Sequence, residues 1–374
     1  MRILGIETSC DDTAAAVIEA GGGFINPSFS VLSNISYSQV AIHKKFGGIV
    51  PNLASRAHLK KIGPTVKAAL LISEINSKDI DLIAVTRGPG LMPSLLVGVN
   101  FARALAYKWQ KPIIGVNHIE GHIYSNWLSP IREFPISNFK FSNKNIKFPS
   151  LILIVSGGHT ELILMSGYGK YKIIGETLDD AAGECFDKTA RILGLGFPGG
   201  PAIAALADKR EENEIFRTHR SPIGRKCVLI EQTDRQIKLP RPMINSNDYN
   251  FSFSGLKTAV LYSYKGKNKS AMAYEIQEAI IDVLIAKTVK AVKNYNPKVV
   301  MIAGGVAANK RLREEMALKI APYKIPLFVP ELSYTTDNAA MIATAGYFNY
   351  LSKKPKKDSW KNVEISANLK FIRL

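Results

Sequence analysis

His118 and His122 are the two residues of this chain whose spacing best suits metal binding. On a helix, residues four apart lie on one face, so two imidazoles at this spacing can share one ion. Asp337, in the run Thr336-Asp337-Asn338, is the best candidate for a third ligand. Two imidazoles and a carboxylate suit iron or zinc and leave positions open for a substrate. A structural pair of histidines without metal remains the alternative.

The same segment argues against a zinc peptidase. The motif reads His118-Ile119-Glu120-Gly121-His122, so its glutamate is the third residue and not the second, as HExxH requires. The residue that would activate water is therefore misplaced. A metallopeptidase stays as a weaker alternative.

Two polar turns follow buried apolar runs in equivalent settings. Ile3–Ile6 leads into the turn Glu7–Asp12, and Leu151–Val155 leads into the turn Ser156–His159; an apolar run resumes after each. Both patterns predict β-hairpins whose turns expose backbone N–H groups, and two such turns facing each other can clamp phosphates.

Residues in and beside these turns are the candidates for contact with a substrate. We expect Thr8, Ser9 and His159 to line the phosphate-binding turns. Asp11 and Asp12 adjoin the first turn and are candidates to orient a metal or a nucleophile.

The elements that position these residues follow from the apolar pattern. Leu82–Val85, Ile113–Val116 and Val299–Ala303 read as further buried strands. Ala273–Tyr295 has helical spacing, which Asn296-Pro297 ends. Strands that alternate with helices indicate an α/β protein, and the repeated hairpin suggests two related lobes around a cleft.

Charge is the unusual feature of the composition. The 374 residues contain 49 Lys+Arg against 31 Asp+Glu, a formal net charge of +18, which favours a polyanionic partner. A proteome that keeps every surface positive is the alternative. Basic residues cluster in apparent insertions at 134–148 and about 208–241 and in the tail at 353–357. The 208–241 insertion is the better candidate for gripping nucleic acid.

Composition also bounds the class and the compartment. A hydrophobic fraction of 46% is typical of globular proteins and excludes a disordered or collagenous chain. Three scattered cysteines make no disulfide framework, which predicts a reducing compartment. Neither a signal peptide nor an apolar run of about 20 residues is evident, so we expect a cytoplasmic protein without a membrane span.

Several motifs in combination resemble the universal tRNA threonylcarbamoyladenosine transferase family, once described as O-sialoglycoprotein endopeptidases. Its bacterial and mitochondrial branch is the more similar. The matching segments are Gly5–Asp11, His118–His122, Val155–Thr160, Asp179–Lys188, Phe251–Thr258, Ala303–Asn309 and Thr336–Asn338. The resemblance implies the actin-like ATPase (ASKHA) fold, an α/β architecture of two ribonuclease-H-like lobes around a nucleotide cleft. The lobes it implies are 1–128 plus about 340–374, and 129–339 with the basic insertion.

Site residues carry over from the resemblance position by position. His118, His122 and Asp337 match the metal ligands of the family. Asp11 and Asp12 match acids that serve activity, although the family commonly has Glu at the second position. The positions that match those holding threonylcarbamoyl-adenylate are Ile154, Val155, Ser156, Gly157, Gly158, Asp187, Gly200 and Asn309.

The resemblance also implies the reaction. The family transfers a threonylcarbamoyl group from threonylcarbamoyl-AMP to N6 of the adenosine just 3′ of the anticodon, in tRNAs that read codons starting with A. It implies one divalent metal per subunit, Fe²⁺ first and Zn²⁺ as the alternative, and ATP or ADP in the same cleft. The implied partners are the tRNA anticodon stem-loop with a shorter non-catalytic paralogue and a small ATPase, or a second copy if the chain is self-sufficient. A non-catalytic scaffold with this fold is the remaining alternative.

Overall fold

A computed structural model describes residues 1–128, 146–219, 237–266 and 268–371, of which 210–219 are described as helix backbone only. The insertions predicted at 134–148 and 208–241 lie mostly outside the described residues. The basic tail cluster at 353–357 lies within them and is exposed apart from Pro355.

The first sheet is built from the amino-terminal third of the chain. Its five strands are β1 (Arg2–Glu7), β2 (Asp12–Gly21), β3 (Ser28–Ser38), β4 (Leu82–Gly88) and β5 (Ile113–Asn117). They lie in the order β3-β2-β1-β4-β5. The β1–β2 and β2–β3 pairs are antiparallel, whereas β1–β4 and β4–β5 are parallel.

The second sheet repeats the first. Its strands are β6 (Ser150–Val155), β7 (Thr160–Gly167), β8 (Lys170–Glu176), β9 (Val299–Ala303) and β10 (Leu327–Phe328). Their order is β10-β9-β6-β7-β8, with β6–β7 and β7–β8 antiparallel and β6–β9 and β9–β10 parallel. Both predicted hairpins are therefore confirmed as β1–β2 and β6–β7. This order, present twice, is the duplicated ribonuclease-H-like core of the actin-like ATPase fold.

Ten α-helices lie among the described residues and cover the sheets. They are α1 (Val40–His43), α2 (Pro51–Ile72), α3 (Met92–Trp109), α4 (His118–Tyr124), α5 (Ala182–Ile192), α6 (Gly199–His219), α7 (Ser254–Ser263), α8 (Lys269–Tyr295), α9 (Lys310–Ile320) and α10 (Ala339–Ser352). The helix predicted over 273–295 is confirmed as the greater part of α8. It ends where Asn296 turns left-handed, with φ of 45°.

The central strands of each sheet are buried on both faces, which explains their unbroken apolar runs. On β6, Leu151 and Leu153 face a core shared with α8, whereas Ile152 and Ile154 face a core shared with α4 and α10. The first sheet packs on its other face against α2 and α3. Helices α4 and α10 therefore lie between the two sheets.

Helix α10 returns from the end of the chain to pack on β1, β2, β4 and β5 of the first sheet. The lobes of 1–128 plus about 340–374 and of 129–339 stay a prediction. Within the described ranges, no helix is both long enough and apolar enough to cross a membrane.

Gly5 on β1 is where α10 approaches the first sheet most closely. A Cβ at this position would lie 2.1 Å from the carbonyl oxygen of Ala339, the first residue of α10. We expect Gly5→Ala to lower the free energy of unfolding by about 1–3 kcal/mol, because backbone must move to admit the methyl group. Urea unfolding measures this.

A matched control is Gly255→Ala near the start of α7, where an added Cβ has no atom of the described structure within 4 Å. That variant should be as stable as the wild type or slightly more stable. Equal stability of the two variants would contradict the close packing of α10 on β1.

Candidate active site

The two histidines lie where β5 passes into α4. Asn117 ends β5 and caps α4, because its Oδ1 accepts hydrogen bonds from the N–H groups of Ile119 and Glu120. This cap starts the helix at His118, and one turn later His122 lies on the same face. The predicted helical placement of the pair is confirmed.

Asp337 approaches the two histidines from a distant segment of the chain. It stands two residues before α10, whose N-cap Asn338 accepts from the N–H of Met341. Asp337 Oδ1 lies 3.5 Å from His118 Nε2 and 3.3 Å from His122 Nε2. The ligand atoms of the three residues lie within 4.8 Å of one another. Residues 215 positions apart in sequence thus form one compact donor set.

The donor set fits a divalent cation. His122 is completely buried; its Nε2 approaches Asp337 Oδ1 at 3.3 Å, whereas its Nδ1 has no hydrogen-bond partner among the described residues. Buried polar atoms are normally paired, so a ring nitrogen without a partner is consistent with a further ligand at this site. Burial opposes ionisation of Asp337, but the neighbouring histidines lower its pKa to about 2, so its carboxylate is ionised. Two imidazoles and a carboxylate are the donors expected for iron or zinc.

Glu7 at the end of β1 contacts the donor set, and the sequence reasoning did not single it out. It is fully buried, and its Oε2 lies 3.0 Å from His118 Nδ1, on the side of the ring opposite Asp337. Thr86 donates to the same oxygen at 2.6 Å and the N–H of Ser9 donates to Oε1 at 2.5 Å. Burial would raise the pKa of Glu7, but His118 lowers it. A carboxylate in this position fixes the ring orientation and tautomer of a metal-binding histidine.

Glu7→Gln is therefore expected to weaken metal affinity by about 10- to 100-fold while leaving all three ligands in place. Metal competition with a chromophoric chelator measures this. The control is Glu120→Gln, a second glutamate near the histidines, whose carboxylate accepts from Asn349 Nδ2 at 3.2 Å and is not part of the donor set. Equal losses in both variants would contradict the role assigned to Glu7.

The position of Glu120 also bears on the peptidase alternative. Burial raises the pKa of Glu120, and its side chain is directed to α10. Glu120 is therefore not among the side chains that form the donor set.

Asp11 lies in the turn between β1 and β2, and Asp12 is the first residue of β2; both are near enough to feel the charge of Asp337. Burial, followed by the charge of Asp337, raises the pKa of both carboxyl groups, that of Asp12 to about 7. The Oδ1 of Asp12 is buried and accepts no hydrogen bond from any described residue. Asp12 thus combines a pKa near neutrality with an unsatisfied acceptor, two properties of a general base.

A buried histidine holds the backbone of this turn. His58 on α2 contacts the carbonyl of Cys10 through Nε2 at 3.0 Å and the hydroxyl of Thr13 through Nδ1 at 2.8 Å. A carbonyl only accepts, so Nε2 carries the proton and Nδ1 accepts from Thr13. Burial lowers the pKa of His58, which keeps this neutral arrangement. Residues on both sides of the acid pair are therefore fixed.

The second turn reaches the metal centre from the other sheet. The N–H of Ser156 donates to the carbonyl of His159 at 2.8 Å, which closes a tight turn after β6. Burial and the charges of His118 and His122 lower the pKa of His159 to about 4, so its ring is neutral beside the donor set. Gly157 and Gly158 are exposed, and a Cβ on either would meet no described atom within 4 Å.

The first turn is more closed than expected. Thr8 is completely buried and its hydroxyl donates to the carbonyl of Ser94 at 3.0 Å. Ser9 is buried as well, with its Oγ 3.2 Å from His118 Nδ1. These contacts tie Thr8 to the segment before α3 and Ser9 to the donor set, and contact of either residue with a phosphate stays a prediction.

The residues matched to adenylate binding come from the end of β6 and the turn after it, from α5 and α6, and from the segment before α9. Ile154 and Val155 are core side chains, so only their backbone can face a ligand. Asp187 on α5 accepts from the N–H of Gly199 at 2.6 Å and is close enough to Asp11 for the two charges to interact. Gly200 adjoins that contact in α6.

The side chain of Asn309 forms hydrogen bonds within the protein. It caps α9 by accepting from the N–H of Leu312 at 2.9 Å, and its amide donates to Gln277 Oε1 at 2.8 Å. Asp179, in a motif shared with the family, caps α7 through the N–H and hydroxyl of Ser254. Adenylate binding by these positions stays a prediction.

Fold and site together define a protein of the actin-like ATPase architecture with a buried His-His-Asp centre between its lobes. Among solved structures, HypF of T. kodakarensis has a TM-score of 0.52 over 96% of this chain and 49% of that chain. At 13% identity this is a likeness of fold alone.

Sequence comparison identifies the family. The profile of tRNA N6-adenosine threonylcarbamoyltransferase matches residues 30–344. The protein of that description from Thermosipho melanesiensis is 46% identical over 351 residues, which cover 93% of this chain and 94% of that protein. The one from Bacillus subtilis is 44% identical over 354 residues, covering 92% and 90%. The chain belongs to the tRNA N6-adenosine threonylcarbamoyltransferase family, as its sequence motifs predicted, and is a transferase.

Proposed function

We propose that this chain transfers the threonylcarbamoyl group of threonylcarbamoyl-AMP to N6 of the adenosine just 3′ of the anticodon, in tRNAs that read codons starting with A. The observation that carries the proposal is the buried donor set of His118, His122 and Asp337, with Asp12 near enough for the charge of Asp337 to raise its pKa. These four residues come from three separate segments of the chain.

Proton transfer falls to the acid pair in this proposal. N6 of adenosine attacks the carbamoyl carbon, a C–N bond forms, and the bond from that carbon to the adenylate phosphate oxygen breaks. AMP leaves with the electron pair of that bond. Asp12 accepts the proton lost by N6, because its carboxylate has an unused acceptor and a pKa near 7.

His118, His122 and Asp337 would hold one divalent cation, Fe²⁺ in our proposal with Zn²⁺ as the alternative. When bound, the ion supplies Lewis-acid polarisation of a carbonyl or phosphate oxygen. Glu7 keeps the ring of His118 oriented toward Asp337. Because N6 is a weak nucleophile, positioning and electrostatic stabilisation supply most of the rate enhancement.

The adenylate is proposed to lie along the carboxyl edge of the second sheet. Gly157, Gly158 and Gly305 leave open space there, since a Cβ on any of them meets no described atom within 4 Å. Backbone N–H groups at such a turn bind phosphate oxygens without a side chain in the way. ATP or ADP can occupy the same place.

Basic charge and partners complete the proposal. A net charge of +18 favours binding of the anticodon stem-loop phosphates. We propose that the chain works in the cytoplasm with a shorter paralogue and a small ATPase, or as a homodimer if it needs neither.

Nucleoside mass spectrometry tests the function directly. The purified chain is incubated with tRNA, threonine, bicarbonate, ATP and a threonylcarbamoyl-AMP synthase, alone and with bacterial partner proteins. Threonylcarbamoyladenosine in the RNA is the expected product, and its formation without partners would show a self-sufficient enzyme. No product under either condition from folded, metal-loaded protein would contradict the proposal and favour a non-catalytic scaffold.

A further inference from the structure

A short exposed turn beside the acid pair carries an aromatic ring that the proposed chemistry does not use. The 44–48 turn consists of Lys44, Lys45, Phe46, Gly47 and Gly48. Phe46 is 60% exposed, and the two lysines before it are exposed as well. A phenylalanine this exposed gains little free energy from burial within the chain, and its ring is accessible to a binding partner.

Both ends of the 44–48 turn are fixed close to Asp11. On the incoming side, the N–H of Gln39 donates to the carbonyl of Asp11 at 3.1 Å, and the N–H of His43 donates back to Gln39. On the outgoing side, the N–H of Val50 donates to His43 Nδ1 at 3.3 Å. The 44–48 turn therefore projects from a rigid base next to the acid pair.

The 44–48 turn also meets the second lobe. The guanidinium of Arg191 on α5 donates to the carbonyl of Gly47. Arg191 lies near enough to Asp187 for its charge to lower the pKa of that carboxyl group, which burial raises. A methyl group on Gly196 would lie 3.6 Å from Cε of Lys44. The residues on either side of Phe46 thus lie against the segment 191–196.

We propose that the 44–48 turn is a contact surface for the single-stranded loop of the RNA substrate. An unpaired base stacks on the ring of Phe46, and the ammonium groups of Lys44 and Lys45 neutralise adjacent phosphates. Single-stranded RNA is recognised by stacking on aromatic side chains flanked by cations, and splayed loop bases expose the faces this needs. The inference rests on the proposed function, because it takes the RNA of that reaction as the ligand.

Binding of a synthetic anticodon stem-loop, measured without the acyl donor, tests the RNA contact of the 44–48 turn separately from catalysis. We expect Phe46→Ala to weaken affinity by about 5- to 150-fold and Phe46→Trp to restore it, because stacking needs only a π-face. The loss should vanish for a fully paired RNA of equal length. Replacing Lys44 and Lys45 with Gln should reduce the slope of log affinity against log salt by about 1.4.

Tyr107→Ala is the matched control. Tyr107 is also 60% exposed. It lies near the end of α3, which leads into the start of β5, whereas His118 follows the opposite end of that strand. Equal RNA affinity of wild type and Phe46→Ala would overturn the inference, as would a loss that Phe46→Trp fails to restore. Transfer assays separate the two proposals. If the wild type is active and Phe46→Ala has an unchanged KM for RNA, the RNA contact of the 44–48 turn is rejected and the proposed function is kept. If the wild type binds RNA but transfers no group, the proposed function is rejected and the RNA contact is kept.

Discussion

Asp337→Ala should yield a folded protein that neither retains a divalent metal nor transfers the threonylcarbamoyl group. The two imidazoles left behind offer no negative charge, and Asp337 Oδ1 is the atom that lies within 3.5 Å of both of them. A bound cation contributes several kcal/mol to catalysis of this kind, so we expect the rate to fall ~1,000-fold or more. Metal analysis by mass spectrometry and the nucleoside assay measure the two effects.

Chelation provides the companion experiment. Metal removal should abolish activity of the wild type, and re-addition of Fe²⁺ or Zn²⁺ should restore it and raise the Tm, since a ligand that binds the folded state stabilises it. Neither recovery is expected for Asp337→Ala. Asp358→Ala, which removes an exposed carboxylate paired with Lys361 at 3.8 Å, should behave like the wild type. A metal-loaded, active Asp337→Ala enzyme would show that the donor set is structural.

The second large effect is expected at Asp12. Asp12→Asn removes the proposed general base and should lower kcat by about 100- to 10,000-fold. Asp12→Glu should keep most of the activity, because the family commonly has Glu at this position. The amide variant should bind metal and RNA as the wild type does. Loss of activity in both variants, or in neither, would reject Asp12 as the base.

The pH dependence of the wild type gives an independent check. The pKa of Asp12 is raised to about 7, chiefly by burial, so the carboxylate is protonated below that pH. The rate should therefore fall as the pH decreases through about 7, and Asp12→Asn should lack this limb of the profile. A rate that is flat from pH 6 to 8 in the wild type would contradict the assignment.

Stability should change in the opposite direction. A carboxyl group whose pKa is raised on folding stabilises the folded state less as the pH rises from its unfolded value, about 4, to about 7. Asp12→Asn removes this loss and should have a higher Tm than the wild type at pH 8, with little difference at pH 4. An inactive variant that is more stable cannot owe its inactivity to misfolding.

Sequence alone determined the fold class and most elements of the core. Strands such as Leu151–Val155 are buried on both faces and therefore read as unbroken apolar runs, and Ala273–Tyr295 kept its helical period to the Asn-Pro stop. The spacing of His118 and His122 was also readable, because four residues make one helical turn whatever the helix packs against. Asp337 was already the best candidate for the third ligand, and the family motifs matched it and implied the reaction.

Tertiary structure decided what surrounds those residues. No local pattern shows that Glu7 lies behind His118, since strand pairing brings residues 111 positions apart to 3.0 Å. Nor could the sequence show that the side chains of Thr8 and Asn309 form hydrogen bonds within the protein, or that burial raises the pKa of Asp12. Side-chain periodicity is a local property of the chain, whereas burial, charge neighbours and hydrogen-bond partners come from segments distant in sequence, and only packing of the two lobes brings them together.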